Sequence, residues 1–452
     1  MSKFEMKRRE FVAAAAVTAA VVPFVGCASG ATYYKVPTGE IRKGSIVKGR
    51  KINIACVGTG GMGRNDCANW ADENVVALCD VDERAAKTTR EKYPNAKFFH
   101  DYRQMLTEMD SQIDAVSVST PDHMHFPVAL MAVQMGKHVY VQKPLTHTIK
   151  EARVLREAAK IHEVKSQMGN QGHSNETTRL CKEWLDAGVI GDVYHVDIWT
   201  NRPIWPQGCE LPKETQPVPA GLDWNLWLGV APSRGYNDVF MPFKWRGWWD
   251  YGCGAIGDMG CHTMDAAFWA LDLGAPTRVE LVEIDGGTPW SPSKGAVVKF
   301  YYPARGNLKP CTMTWYEGTK KPPMPKDLEP GRNLGTSGQL FYGTKGVLHG
   351  GGDYCNSVRL IPETAMQAFT TKPPKTLPRV KGGQHWQNWL DAIRGNVEQA
   401  CSNFDHGAPL AELGAIGNLA IHSGKSFDWD AKAMLASDPD VQKLVDKSYR
   451  QF

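Results

Sequence analysis

At 452 residues the chain exceeds what one compact core holds, so two domains are expected. Its 42% hydrophobic and 22% charged residues are ordinary for a globular protein, and a net charge of +4 without a basic block argues against nucleic acid as a partner. The 11 cysteines include no CxxC pair and no paired ligand spacing, so no metal is expected.

Residues 1–26 read as a signal peptide. Lys7-Arg8-Arg9-Glu10-Phe11 is a twin-arginine pattern, and the apolar run from Val12 to Val25 is short for a membrane span. Phe24-Val25-Gly26-Cys27 resembles a lipobox with Cys27 as the lipidated first residue of the mature chain, although Phe stands where Leu is usual. An uncleaved anchor is the alternative. In either case the body of the protein is expected outside the cytoplasm, periplasmic or as a membrane-anchored lipoprotein, touching the membrane only through that signal or lipid. Residues 27–50 read as a tether.

From 51 the chain alternates short apolar strands with helical stretches, the pattern of a parallel α/β sheet, and residues 51–170 are assigned to that domain. Lys51-Ile52-Asn53-Ile54-Ala55-Cys56-Val57 is a buried strand running into Gly58-x-Gly60-x-x-Gly63, where a helix should start. Such a turn, with Gly61 and Met62 inside it, offers backbone N–H groups and a positive helix end to a pyrophosphate. The next apolar run ends in Cys79-Asp80. Asp80 lies 22 positions after Gly58, the interval expected for an acid that accepts from ribose hydroxyls, and it favours NAD over NADP by repelling a 2′-phosphate.

Later strands end in loops that carry chemistry. Ala115–Val118 leads to Ser119-Thr120-Pro121-Asp122-His123-Met124-His125, and His138–Val141 to Gln142-Lys143-Pro144. Lys165–Met168 leads to Gly169-Asn170-Gln171. Ligands of such sheets sit at these carboxyl ends.

Residues 171–452 form the second expected domain. A helix at Glu176–Ala187 and a strand at Val193–Thr200 precede a Pro/Trp-rich insertion reaching Trp249. A helix from Ala255 to Leu271 follows. Six strands then lie within 278–361, joined mostly by short turns as in an antiparallel sheet, and two helices near Gln384–Ile393 and Leu410–Lys425 close the chain after an extended stretch, 362–382.

Taken together, Gly58-x-Gly60-x-x-Gly63, Cys79-Asp80, Ser119-Thr120-Pro121-x-x-x-His125, Gly136-Lys137-His138-Val139 with Gln142-Lys143-Pro144, and Gly257-Asp258-Met259-Gly260-Cys261-His262 resemble the Gfo/Idh/MocA oxidoreductase family over nearly everything after residue 50. The resemblance implies an α/β Rossmann domain plus a C-terminal α+β domain with an open, mainly antiparallel sheet, the latter often mediating homo-oligomers. It also implies a nicotinamide cofactor and a small sugar or cyclitol substrate. Carried over residue by residue, it makes His262 a proton acceptor, Asp258 its orienter or a substrate ligand, and Lys143 a polariser and relay. It places Thr120, Pro121, His125, Gln142, Lys143, Asn170 and Gln171 with Gly58, Gly60, Gly61, Met62, Gly63 and Asp80 at the cofactor. Gln142 stands where the family usually has Glu, so the lysine's neighbour is uncharged. Asp265, one turn beyond His262, is expected to be structural.

Seven of the 15 tryptophans lie between 199 and 249. Aromatic faces suit the C–H faces of sugars, so Trp205, with Arg202 and Arg246 for hydroxyls, is a candidate substrate contact. Packing within the insertion is the competing role for most of these rings. An exported enzyme meets little free NAD. The first functional expectation is therefore an oxidoreductase of a sugar, glycoside or cyclitol hydroxyl whose NAD(H) is tightly bound and recycled in place. The second is an NAD-dependent glycoside hydrolase working by transient oxidation and elimination. A binding protein with a dead site is the third, and the intact Lys143, Asp258 and His262 argue against it.

Overall fold

The computed structural model describes residues 40–452; the leader, Cys27 and the expected tether up to residue 39 lie outside the described residues. The first sheet contains six parallel strands, β1 (Asn53–Val57), β2 (Asn74–Cys79), β3 (Lys97–Phe99), β4 (Ala115–Val118), β5 (His138–Val141) and β6 (Ser166–Met168), in the order β3-β2-β1-β4-β5-β6. Helices α1 (Gly61–Asn69), α2 (Glu83–Lys92), α3 (Tyr102–Glu108), α4 (Asp122–Gln134) and α5 (Ile149–Ile161) connect them. Every residue of β4 and β5 is buried, which fits their mainly apolar sequences, broken only by Ser117 and His138. Strand order reverses between β1 and β4, and a crevice opens outside the ends of these strands. There the two loops nearly touch: a Cβ on Gly58, whose φ is +78°, would lie 2.6 Å from Ser119 O.

The second sheet has nine strands, ordered β13-β12-β11-β7-β10-β9-β8-β14-β15. These are β7 (Val193–Trp199), β8 (Arg278–Asp285), β9 (Gly295–Tyr302), β10 (Cys311–Tyr316), β11 (Gly338–Gly343), β12 (Gly346–Gly351), β13 (Ser357–Ile361), β14 (Phe427–Asp430) and β15 (Leu435–Ala436). Only β7 with β10 is parallel, because β7 arrives from the first domain and inserts between β10 and β11. The fold is therefore the expected Rossmann domain plus a mainly antiparallel α+β domain. Helix α6 (Glu176–Asp186) precedes β7. The single helix expected over 255–271 is two, α7 (Gly254–Thr263) and α8 (Asp265–Ala270), which break at Met264. The stretch 362–382, expected to be extended, contains a short helix at Glu363–Ala368, and β14 and β15 were not foreseen.

The two domains interleave more than their sequence order suggests. Helix α9 (His385–Arg394) returns to the first sheet, where Trp389, Leu390 and Ile393 join Ile52, Ile54, Trp70 and Tyr140 in one buried cluster. Val47 belongs to the same cluster and its N–H donates to Ile393 O (3.0 Å). Arg42 pairs with Asp110 and Gly44 N–H donates to His162 O, so the last part of the expected tether is pinned to the first domain. Helix α10 (Phe404–Ser423) packs on both α5 and α7. Gly417 allows the close approach to α7, since a Cβ there would meet Ile256 Cδ1 at 2.4 Å. Thus α7 is held by a helix that also grips the Rossmann domain, through Arg153 Nε donating to Glu412 (2.8 Å). Among the described residues no helix is long and apolar enough to cross a membrane.

Candidate active site

A cavity of ≈ 640 Å³ occupies the crevice at the sheet's switch point. It is lined by Gly58, Gly60, Gly61 and Met62, by Asp80, by Thr120, Pro121 and His125, and by Gln142, Lys143 and Arg246. The glycine loop and Asp80 are expected here from spacing, Thr120, Pro121, His125, Gln142 and Lys143 from the family resemblance, and Arg246 as a candidate substrate contact. Helix α1 starts at Gly61 with no side-chain cap, leaving first-turn N–H groups for a ligand anion. Gly63 packs so tightly that a Cβ would fall 1.9 Å from Gly58 O. Asp80 is anchored to the loop it serves: Oδ2 accepts from Thr59 N–H (2.7 Å) and Gly60 N–H (3.2 Å), and Oδ1 from Asp82 N–H (3.0 Å). Burial pushes its carboxyl up, opposed by these donors.

Deeper in the crevice, Gln142 Nε2 donates to both oxygens of Asp66 (3.0 and 2.9 Å), whose Oδ2 also accepts from Ser119 Oγ (2.7 Å). The carboxylate takes only donors, so it fixes the amide with Oε1 turned away from Asp66. The negative charge absent from position 142 stands instead at Asp66 on α1, a residue sequence reasoning missed because nothing local marks it. Burial pushes the Asp66 carboxyl up to about 6. Gln142→Glu would set two carboxylates side by side, and one must hold a proton. Its NAD affinity is expected to fall at least roughly tenfold at pH 8, recover near pH 6, and be restored by adding Asp66→Asn. Quenching of tryptophan fluorescence on NAD titration reads this directly, and a pH-independent loss would refute the shared-proton account.

At the opposite end of the cavity Lys143 Nζ donates to Asp258 Oδ1 at 2.6 Å. Arg246 Nε donates to the same oxygen at 3.1 Å. The lysine and arginine hold the Asp258 carboxyl down at about 2 against strong burial, and Asp258 in turn raises Lys143. Asp258 makes no hydrogen bond to His262 among those described. The expected orienter of the histidine is thus the anchor of the lysine, because Lys143 and Arg246 reach it from the cavity side.

His262, one turn along α7, is not a cavity-lining residue. It is buried, and burial pushes its imidazole down to about 3, so the ring is neutral and its lone pair free. Its Nδ1 has no partner among the described residues. Tyr354, from the loop between β12 and β13, meets the ring edge-on at 4.7 Å. Gly172 makes room for this tyrosine, as a Cβ there would lie 2.8 Å from Tyr354 Cβ. No motif announced Tyr354, which arrives from the far sheet. Asp122 is a second unannounced acid: it lines the cavity, accepts from Cys253 N–H (3.1 Å), and is pushed up to about 7 by burial.

Other expected residues lie elsewhere. Asn170 is wholly buried, with Oδ1 accepting from Ser402 Oγ (2.6 Å) and Nδ2 near Asp265 (3.4 Å); neither it nor Gln171 lines the cavity. Turning after β6 takes both side chains away from the crevice. Trp205 is buried, donating to Gln207 Oε1 (2.9 Å), and Arg202 faces Asp353 (3.9 Å) outside the cavity. Trp224, Trp227 and Trp248 pack with Tyr251 and Phe240 in a cluster of the insertion's own, although Trp227 and Trp245 also reach the cavity wall. His123 sits between Trp227 O and Tyr251 O and serves packing.

Residues 52–170 match the family model described as "Oxidoreductase family, NAD-binding Rossmann fold", and residues 183–301 match that family's "C-terminal alpha/beta domain". The chain belongs to the Gfo/Idh/MocA oxidoreductase family. Among curated relatives it is 26% identical over 240 residues to the D-glucoside 3-dehydrogenase of Escherichia coli K12, covering 52% of this chain and 58% of that one. It is also 26% identical over 261 residues to glycosyl hydrolase family 109 protein 2 of Shewanella sp. ANA-3, covering 53% and 56%. The chain thus spans about half the length of the curated relatives it matches. The WlbA dehydrogenase of Bordetella pertussis, solved with NADH and UDP-GlcNAcA, shares the fold at a TM-score of 0.58 and 18% identity, over 84% of this chain and 99% of that one.

The first domain's residues fit the cofactor of its family. Thr120 Oγ1, His125 Nδ1 and Gln142 Oε1 are buried atoms of cavity-lining residues with no partner in the described protein. Leaving three such groups unpaired is costly, and a polar ligand with hydroxyl and amide groups would satisfy them.

Proposed function

We propose that this Gfo/Idh/MocA protein oxidises or reduces a hydroxyl-bearing carbon of a sugar, glycoside or cyclitol with a retained, internally recycled NAD(H). The observation that carries this reading is the Lys143–Asp258–Arg246 cluster at the end of the NAD cavity. When bound, NAD supplies the hydride acceptor or donor; the protein's residues must handle the proton. Lys143, fixed by Asp258, presents an ammonium to the reacting oxygen and passes its proton on. His262, with an unpartnered Nδ1, is assigned as acceptor for the proton released on oxidation; burial depresses its basicity, which must rise when substrate binds, and Asp258 and Asp265 are the charges that raise it. Arg246 supplies hydrogen bonds to neighbouring hydroxyls, with Arg202 and Trp205 left to second place by their positions. Thr120, Gln142, Asp80 and the glycine loop hold the cofactor, and Asn170 and Gln171 act behind it.

Export by the twin-arginine leader, with lipidation at Cys27, remains part of the proposal, as does a homo-oligomer formed through the open sheet. Export is the reason for recycling, because a released cofactor would be lost. Anaerobic mixing of purified protein with sugars tests the core claim. A carbohydrate that changes the nicotinamide absorbance of protein purified without added NAD supports it; protein lacking cofactor and rebinding NAD only weakly refutes retention. Similarity to the family 109 hydrolase favours a second reading, transient oxidation followed by elimination and water addition. Release of p-nitrophenol from aryl glycosides without net NADH would select it.

Tyr354 gives a test of the substrate side. Removing its ring with Tyr354→Ala is expected to raise KM for the sugar roughly tenfold, the scale of one lost aromatic contact, with NAD affinity unchanged. A loss confined to NAD binding would remove Tyr354 from the substrate site.

A further inference from the structure

The proposed chemistry leaves one buried set of ligating side chains unused. His173 lies in the turn after β6, Asp265 opens α8, and His406 sits in the first turn of α10. Asp265 Oδ1 is 2.7 Å from His406 Nε2, and Asp265 Oδ2 is 2.9 Å from His173 Nδ1. One ligand atom from each residue lies within 4.8 Å of the other two. The side chains of His173 and Asp265 are 3% and 4% exposed and that of His406 is 14%. The two imidazoles lie 4.0 Å apart at 33°, with a ring nitrogen of each directed at the same carboxylate.

We propose that His173, Asp265 and His406 bind a divalent transition-metal ion, with Zn²⁺ as the reference ligand. Two imidazoles and one carboxylate form a donor set suited to zinc and to neighbouring first-row metals. Ligand atoms placed about 2.1 Å from one tetrahedral ion stand roughly 3.4 Å apart, so the two histidine–carboxylate contacts seen here would open by about 0.5–0.7 Å to admit it. A buried carboxylate beside two rings is better compensated by a dication than by neutral donors alone. The surroundings hold each ligand in place: Asn170 Nδ2 is 3.4 Å from Asp265 Oδ2, Arg179 Nη1 donates to His173 O (2.6 Å), Trp269 packs on His173 at 4.9 Å, and Phe268 meets His406 edge-on at 5.9 Å. Such outer contacts are what fix ring orientation in metal centres. The partly exposed edge of His406 gives an entry path. With three protein ligands a fourth position stays open to water.

The ligands are 92 and 141 positions apart, so no spacing in the sequence reveals the site and the expectation of no metal rested on cysteine motifs alone. An ion there would tie α8, immediately after the α7 turn carrying His262, to the turn after β6 and to α10. The inference stands apart from the proposed reaction.

The experiment uses the full chain without an affinity tag, stripped with a chelator and titrated with Zn²⁺ alone. One equivalent should bind, with affinity lowered roughly a hundredfold or more in His406→Ala, while NAD binding by that variant stays normal and reports its fold. Titration of the wild type with Co²⁺ should give saturable visible absorption of nitrogen–oxygen coordination, a readout that needs no variant. Zn²⁺ uptake equal in wild type and His406→Ala, or no saturable Co²⁺ band, overturns the proposal and leaves a hydrogen-bonded histidine–aspartate knot.

Discussion

Replacing Lys143 by methionine should lower turnover roughly a thousandfold while NAD affinity changes by no more than a few-fold, the range expected when a positioned proton donor is removed. The prediction follows from how the lysine is held. Its stem emerges at the carboxyl end of β5, and Nζ is tied to Asp258 Oδ1 at 2.6 Å. Asp258 raises the ammonium, so the group is charged at neutral pH and suited to donating toward an oxygen that gains electron density. Methionine keeps the volume and leaves Asp258 paired with Arg246, so the fold should survive. Asp258→Ala differs, since it leaves two cations facing each other without their carboxylate and should also destabilise the protein by about 3–5 kcal/mol. Lys143→Arg separates charge from proton transfer. Arginine retains the positive charge but does not give up its proton, so the rate should remain near that of Lys143→Met. Steady-state and single-turnover kinetics with a sugar substrate measure all three; a wild-type rate in Lys143→Arg would remove the relay role.

Stability of the chelated, NAD-free protein should peak at roughly pH 6.5 and decline on both sides. Burial pushes His123 and His262 down to about 3, and His125, His349 and His385 down to about 4, from an ordinary 6.5. Below 6.5 the unfolded chain takes up protons on these rings that the folded protein refuses. Their contribution is therefore present above 6.5 and is lost as pH falls toward 4. Burial acts in the opposite sense on carboxyls, pushing Asp66 up to about 6, Asp122 to about 7 and Glu317 to about 8. These keep protons that the unfolded chain has released, so their contribution is present at low pH and is lost as pH rises through 6 to 8. Near pH 5 the buried histidines, His147 among them, outweigh the three carboxyls, and stability should drop by about 3 kcal/mol or more per pH unit on further acidification. Above 6.5 the histidines are silent and Asp122 and Glu317 set a fall of about 1–3 kcal/mol per unit up to pH 8. Calorimetric Tm values across this range test the shape; a profile rising steadily to pH 8 would show that the three carboxyls are ionised in the folded protein.

The chain's local motifs are the part that sequence reading recovers. A strand entering Gly58-x-Gly60-x-x-Gly63 has few alternatives, because only glycine tolerates the turn and the approach of Gly63 to Gly58 O. Asp80 ends the next strand, so the parallel pairing of β1 with β2 delivers it to the loop at a fixed offset. Lys143 follows a fully buried strand for the same reason. Asp258 and His262 share a helix face because they are four apart. Each of these is decided by backbone geometry within one or two elements, which is why Gly58, Gly60, Asp80 and Lys143 line the cavity while Asp258 and His262 stand together just behind it.

What only the tertiary structure decided are meetings between distant segments. Asp66 and Gln142 are 76 positions apart, and their pairing depends on α1 crossing the end of β5. Asn170 turned out to be engaged with Ser402, from the loop between α9 and α10, and the tryptophans of the insertion found one another before any ligand. Helix α9 shares its amphipathic pattern with any helix on any sheet, so its apolar face could not say that the sheet was the first one. The same holds for Tyr354 against His262 and for His173, Asp265 and His406. Hydrophobic periodicity specifies that a face is buried; which partner covers it is settled by packing, and packing is a property of the whole chain.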